Sequence, residues 1–242
     1  MASKGTITID KSVKKLEVSN NIQRTAAYPA ESNGTMLAGG NGVIRVFSPD
    51  VSITTYGRGQ AVSAITSAAN EFSQISLGSE DQFLNSVTIT NTNTNQADRY
   101  GITANASTND STASVDIFTK KLDISNMDSA IRTNGSYSEP FANAVVTVGT
   151  VAHPVDTVTI TNSAKGVQAT YNGSIALSGE KINIEASAAG LEAFGYGMSR
   201  DEQGHYNGGG NVTVNAGEEE GEGLFITGTG QHNTYGILAW AG

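Results

Sequence analysis

The chain contains no cysteine, only four prolines and a single tryptophan in 242 residues. Without cysteine it can have neither a disulfide framework nor a thiolate nucleophile nor a Cys-ligated zinc, so packing and hydrogen bonds must hold the folded state. Charged residues are scarce at 15%, and the Leu, Glu and Lys that build long helices are correspondingly few. No stretch approaches the ~18 consecutive apolar residues that would span a bilayer. The opening MASKGTITID lacks the apolar segment of a signal peptide. Basic residues number 14 against 23 acidic ones, a formal charge of −9. That balance offers no clustered cations to phosphates and no attraction to anionic lipid. Nucleic acid is therefore not expected as a partner, nor is direct membrane insertion by these residues.

What the chain has in quantity is glycine, 28 residues of it, together with Ser, Thr and Asn. At 38% hydrophobic it also has enough apolar material to bury a core, which argues against disorder. The combination points to β structure with many turns. Its organisation shows first in a phrase written twice, KKLEVSNN at 14–21 and KKLDISNM at 120–127. The flanks of the two copies match only in pattern, so the period must be shorter than the interval between them.

Apolar residues at i and i+2, the mark of a short strand with one buried face, supply that period. One column, C, holds Leu16/Val18, Val51/Ile53, Val87/Ile89, Leu122/Ile124, Val158/Ile160, Ile182/Ile184 and Leu224/Ile226. Each pair is preceded by a member of column B: Ile7/Ile9, Ile44/Val46, Ile75/Leu77, Val115/Ile117, Val146/Val148, Ile175/Leu177 and Val212/Val214. From the second pair onward the step from B to C runs 7, 12, 7, 12, 7 and 12 residues. A third column, A, follows each C pair as TMLA (35–38), AVSA (61–64), GITA (101–104), AIRT (130–133), GVQA (166–169), GLEA (190–193) and GILA (236–239). The repeated phrase is column C of the first and fourth rungs.

A string of such rungs is a quasi-one-dimensional stack, in which no rung buries its own apolar residues and each neighbour closes the face of the last. The expected fold is all-β: a single-stranded, right-handed parallel β-helix with three short strands per rung and about seven rungs, the hand following from the rule for parallel crossovers. Ile and Val dominate the columns because β-branched side chains fit a pleated, stacked surface. Asn20, Asn91, Asn126 and Asn162 each follow column C by two residues. Asn tolerates the left-handed conformation of a sharp corner, and stacked amides can bond to one another, so these four are read as a structural ladder.

Stretches such as DTVTITNSAKGVQATYNGSIALSGEKINIEA resemble the right-handed parallel β-helix passengers of Gram-negative autotransporters (type V secretion), and less closely the filamentous haemagglutinin-type exoproteins. The likeness covers residues 5–242 in pattern. It leaves 1–4, opening Met-Ala-Ser, as a start added ahead of an excised fragment. The resemblance implies secretion to the bacterial cell surface, anchorage to the outer membrane in the full-length protein, and adhesion or self-association as the role.

Enzymatic signals are weak by comparison. Polygalacturonase-like β-helices use paired Asp, Gly-His-Gly and Arg-x-Lys groups, and none of these stands in the sequence, nor does the Gly-Asp-Ser-Gly of a serine protease. Asp98-Arg99 and Arg200-Asp201-Glu202 read as isolated, solvated loop charges. His153, His205 and His232 lack ligand spacing, and the acidic run Glu218–Glu220 with Glu222 lacks the spaced pattern of a calcium loop. No metal or cofactor is expected.

Function in a solenoid lies where rungs lengthen. The longest connection is FGYGMSRDEQGHYNGGGN at 194–211, and shorter excursions at 65–74, 105–114 and 134–145 leave the same A-to-B corner. The candidate partner-binding residues are Phe194, Tyr196, Arg200, Asp201, His205 and Tyr206. The expected function is a surface adhesin for a host or bacterial protein or glycan, or for copies of itself. A structural stalk displaying a tip elsewhere is the alternative, and a polysaccharide lyase or hydrolase comes third.

Overall fold

The computed structural model describes residues 5–20, 34–94, 97–108, 110–136, 142–195, 209–230 and 234–241. Among these residues there is no helix, and the strands form one parallel sheet. In chain order they are β1 (Thr6–Ile9), β2 (Lys15–Asn20), β3 (Gly34–Gly39), β4 (Val43–Val46), β5 (Asp50–Thr55), β6 (Gly59–Thr66), β7 (Phe72–Leu77), β8 (Leu84–Asn91) and β9 (Arg99–Ala106). There follow β10 (Thr112–Ile117), β11 (Thr119–Ser125), β12 (Ser129–Asn134), β13 (Asn143–Val148), β14 (Val155–Thr170), β15 (Gly173–Gly195), β16 (Asn211–Ala216), β17 (Gly223–Gly228) and β18 (Tyr235–Ala241).

From β1 to β13 the pairing rule is simple: a strand lies parallel to the third one after it. β1, β4, β7, β10 and β13 form one series. A second is β2, β5, β8, β11 and the start of β14; a third is β3, β6, β9, β12 and the end of β14. The last two long strands arise where the connections shrink. β14 carries a C and an A segment without interruption, and β15 carries B, C and A, so β15 pairs with β13 and β14 on one side and with β16, β17 and β18 on the other.

The three columns read from the sequence coincide with this register. In column B, Val115 lies opposite Ile75 and Val146, and Ile117 opposite Leu77 and Val148. In column C, Leu122 lies opposite Val87 and Val158, and Ile124 opposite Ile89 and Ile160. In column A, Ile131 lies opposite Ile102 and Val167. Because side chains alternate across a strand, a one-residue slip would turn every one of these pairs outward. All of them are buried, and together they form one continuous apolar core. At the two ends, where a strand has a neighbour on one side only, the same positions open: Ile7 is 58% exposed and Ile237 70%.

The glycines ahead of two successive A pairs, Gly166 and Gly190, have a steric cause. A Cβ on Gly166 would come within 2.4 Å of Ile184 Cγ2, and one on Gly190 would stand equally close to Ile226 Cγ2. The chain turns here from column C into column A, and the column C isoleucine fills the space that a side chain would need.

Replacing Ile160 by Asp is expected to bury an unpaired charge in this core and to lower the melting temperature by roughly 10 °C or more. Thr159→Ala, on the outward row of the same strand, should change stability by no more than ~0.5 kcal/mol. Thermal denaturation followed by circular dichroism separates the two.

Candidate functional site

The corner that closes column C was read as an asparagine ladder, and the structure divides that ladder into two devices. Asn126 (φ 65°) and Asn162 (φ 50°) occupy the left-handed conformation, and Asn162 Nδ2 donates to Asn126 Oδ1 at 2.6 Å. Asn126 in turn donates from Nδ2 to the carbonyl of Asn91 at 3.0 Å. Asn91 itself is fully buried and caps a peptide of the preceding turn: it donates to the Gly57 carbonyl at 2.6 Å and accepts from the Gly57 N–H at 3.1 Å. The physical reason lies in the partner strand, where Thr55 faces Asn91 and Gly57 (φ 73°) makes the left-handed turn two residues later. Asn20 also faces Thr55, so no amide stands directly above it.

The excursions at the A-to-B corner are tied to one another. Thr66 Oγ1 donates to Ser111 Oγ at 2.9 Å, and Glu71 accepts from the N–H groups of Ser67 and Ala68 at 2.7 and 2.9 Å. Thr170 Oγ1 donates to the Thr133 carbonyl at 2.9 Å. One row runs the length of this corner, in register Ile65, Asn105, Asn134, Thr170, Phe194 and Trp240. Its character changes along the way, from hydrogen-bonding side chains in the middle to aromatic ones at the C-terminal end.

That end is the candidate site. Phe194 and Trp240 face each other with ring centroids 4.9 Å apart and planes inclined at 52°, and Tyr171 meets Phe194 edge-on at 6.2 Å. Both contacts have geometries that aromatic quadrupoles favour. Tyr171 and Asn172 hold the turn between β14 and β15 with left-handed φ angles of 47° and 60°. A surface cavity of about 280 Å³ opens beside the ring pair, lined by Ala193, Phe194, Gly195, Gly209, Gly210, Ala239 and Trp240. Gly210 has no room for a side chain, since a Cβ there would stand 2.0 Å from the Ala169 carbonyl oxygen. Trp240 is 51% exposed. The cavity therefore has an aromatic wall and a backbone wall, suited to a flat partner group.

Of the six partner-binding residues expected from the sequence, Phe194 lies in this corner. Tyr196, Arg200, Asp201, His205 and Tyr206 lie outside the described residues. The sequence reading missed Tyr171 and Trp240, although a signal was present. From the third column A motif onward the residue that follows is Asn105, Asn134, Thr170, Phe194 and then Trp240, and a reading extended by one position would have shown the row.

The charges at Asp98 and Arg99 differ from the expected solvated loop. Both are part-buried, and neither is paired with the other. Asp98 is bridged by Arg58, whose Nε donates at 2.8 Å, and Arg99 bridges to Asp128 at 2.5 Å. Each pair joins neighbouring parallel strands, so these charges clamp the C-to-A corner across turns of the chain. His153 is exposed beside Phe83, with centroids 6.3 Å apart, while His205 and His232 lie outside the described residues. In the acidic run, Glu222 accepts from the Glu219 N–H at 3.1 Å and so closes its own turn.

No known family model matches this chain, and comparison with curated proteins and with solved structures also returns no match.

The corner at Asn126 generates a prediction. Asn126→Ala keeps the left-handed backbone without the side chain that suits it and should cost about 1–2 kcal/mol. Asn126→Gly loses the amide bonds while easing the backbone, and should cost less. Urea unfolding of the two variants checks the order.

Proposed function

We propose that the chain is a right-handed parallel β-helix of about seven rungs, derived from the passenger of a Gram-negative autotransporter, and that it acts at the bacterial surface as an adhesin. The pairing of each strand with the third one onward supports the coil. The right hand rests on the general preference of parallel crossovers. The passenger origin rests on the sequence resemblance.

The observation that carries the functional reading is the aromatic corner, where Phe194 and Trp240 border a cavity of about 280 Å³. A rod of stacked strands is a stiff support, and aromatic groups at one corner of it can stack on a sugar ring or fill a pocket of a partner protein at little cost in side-chain entropy. The partner is a protein or glycan of a host or bacterial surface, and adhesion requires no cofactor.

In bacteria displaying the protein, replacing Phe194 and Trp240 by Ala should leave folding and display intact. Attachment to host or sister cells should fall about tenfold or more, as expected when aromatic anchors are truncated. Undiminished attachment by a folded, displayed double variant would move the binding site to another part of the rod.

A further inference from the structure

The row of column A two positions before the aromatic row runs, in register, through Ser63, Thr103, Arg132, Gln168 and Glu192, of which Arg132 and Gln168 are part-exposed and the others buried. The carboxylates around it already have cations of their own. Asp98 is bridged by Arg58, Asp128 by Arg99 and Glu192 by Lys165, the last at 2.7 Å. Gln168 Nε2 adds a hydrogen bond to Glu192 at 2.5 Å. Arg132 has no such partner among the described residues. Its guanidinium carbon lies 4.8 Å from the centre of the Tyr100 ring, and its buried Nε has no acceptor among the described residues. Of five buried side-chain polar atoms without a partner among the described residues, three belong to β12: Ser129 Oγ, Arg132 Nε and Thr133 Oγ1.

In a protein of net charge −9, a part-buried guanidinium with no carboxylate beside it among the described residues is unexpected, because a charge withdrawn from water is unfavourable unless it is paired. We propose that Arg132 anchors a binding site for a carboxylate-bearing sugar on the outer face of column A. Because Nε is enclosed, the ligand carboxylate accepts two parallel hydrogen bonds from the two terminal Nη groups of the guanidinium, a paired geometry in which arginine is strong and selective. Tyr100 holds the cation from one side and fixes the direction of the fork. Of its neighbours in the row, Thr103 is buried with its hydroxyl bonded to Gln60 and Ser63, whereas Gln168 is part-exposed and, with Nε2 on Glu192, leaves its amide oxygen to accept from a sugar hydroxyl. Successive strands of a sheet are ~4.8 Å apart, so a saccharide lying along the rod passes from Arg132 toward Phe194 and Trp240, where further rings can stack. This names the ligand class of the adhesin reading and rests on that reading for its biological use. The chemistry of Arg132 can nevertheless be tested without it.

The test uses the purified protein and the side-chain Nε–H resonance of Arg132, assigned by its loss in Arg132→Gln. Glucuronate, glucose, acetate and sulfate serve as probes. Glucuronate should shift the resonance and saturate, binding about tenfold more tightly than acetate because its hydroxyls add hydrogen bonds to that of the carboxylate; glucose should leave it in place. Arg132→Lys should retain the charge but lose most of the affinity, since an ammonium cannot offer the fork. Equal affinity for glucuronate, acetate and sulfate would reduce the site to a simple anion contact and overturn the sugar assignment. No shift with any anion would overturn the site altogether. Loss of adhesion in Phe194→Ala and Trp240→Ala with unchanged glucuronate binding would leave the Arg132 site standing, so the two failures are distinguishable.

Discussion

Everything in this structure depends on one constraint: a strand of four to eight residues cannot bury its apolar pair except against the same pair in the strands above and below it. Ile124 illustrates the point. It is shielded because Ile89 and Ile160 occupy the facing positions in the adjacent parallel strands, and where one neighbour is absent, as at Ile7 and Ile237, the residue stands in solvent. Stability is therefore shared between nearest neighbours along the rod, in the manner of repeat proteins. Local interactions then fix what the columns leave open. Left-handed Asn126 and Asn162 turn the corner after column C, glycines admit the column C isoleucines at the turn into column A, and the Arg58–Asp98 and Arg99–Asp128 bridges join adjacent turns from outside.

The same constraint shapes where function can lie. The inward rows must remain apolar, so chemical variety is confined to the outward rows and the connections. Along the A-to-B corner that variety is graded, from the bonded Asn105, Asn134 and Thr170 to the aromatic Phe194 and Trp240. On the next row and beside it, the ion pairs Arg58–Asp98, Arg99–Asp128 and Lys165–Glu192 leave Arg132 outside any ion pair among the described residues. Two neighbouring rows of one column thus carry an aromatic pair and a guanidinium that, among the described residues, has the Tyr100 ring but no carboxylate beside it.

The repeating part of this architecture was legible in the sequence because it obeys a period of two within strands and a fixed order between them. Column pairs such as Val158/Ile160 and Ile182/Ile184 needed no knowledge of the fold to be set side by side, and they are in register. What escaped is what depends on the neighbouring strand. Asn91 has the same sequence context as Asn126, yet turns inward because the strand beneath it offers a Gly57 peptide. Asp98 and Arg99 look like a solvated pair because their partners, Arg58 and Asp128, lie 40 and 29 positions away. Trp240 joined Phe194 only through register. Five of the six residues expected to bind a partner fall between 196 and 208, outside the described residues, so the site rests on Phe194 and the neighbours that register adds to it.

The absence of cysteine makes the most direct test of the register clean, because any disulfide must come from introduced residues. Thr159 and Asn183 face each other on outward rows of neighbouring parallel segments, at a separation of ~4.8 Å that lies within the Cα range a disulfide accepts. The double variant Thr159→Cys/Asn183→Cys should oxidise to an intramolecular disulfide in the folded protein, whereas Thr159→Cys/Thr213→Cys, which joins column C to column B, should remain reduced. Failure of the first pair to close, or equal closure of both, would contradict the in-register stack on which the account is built.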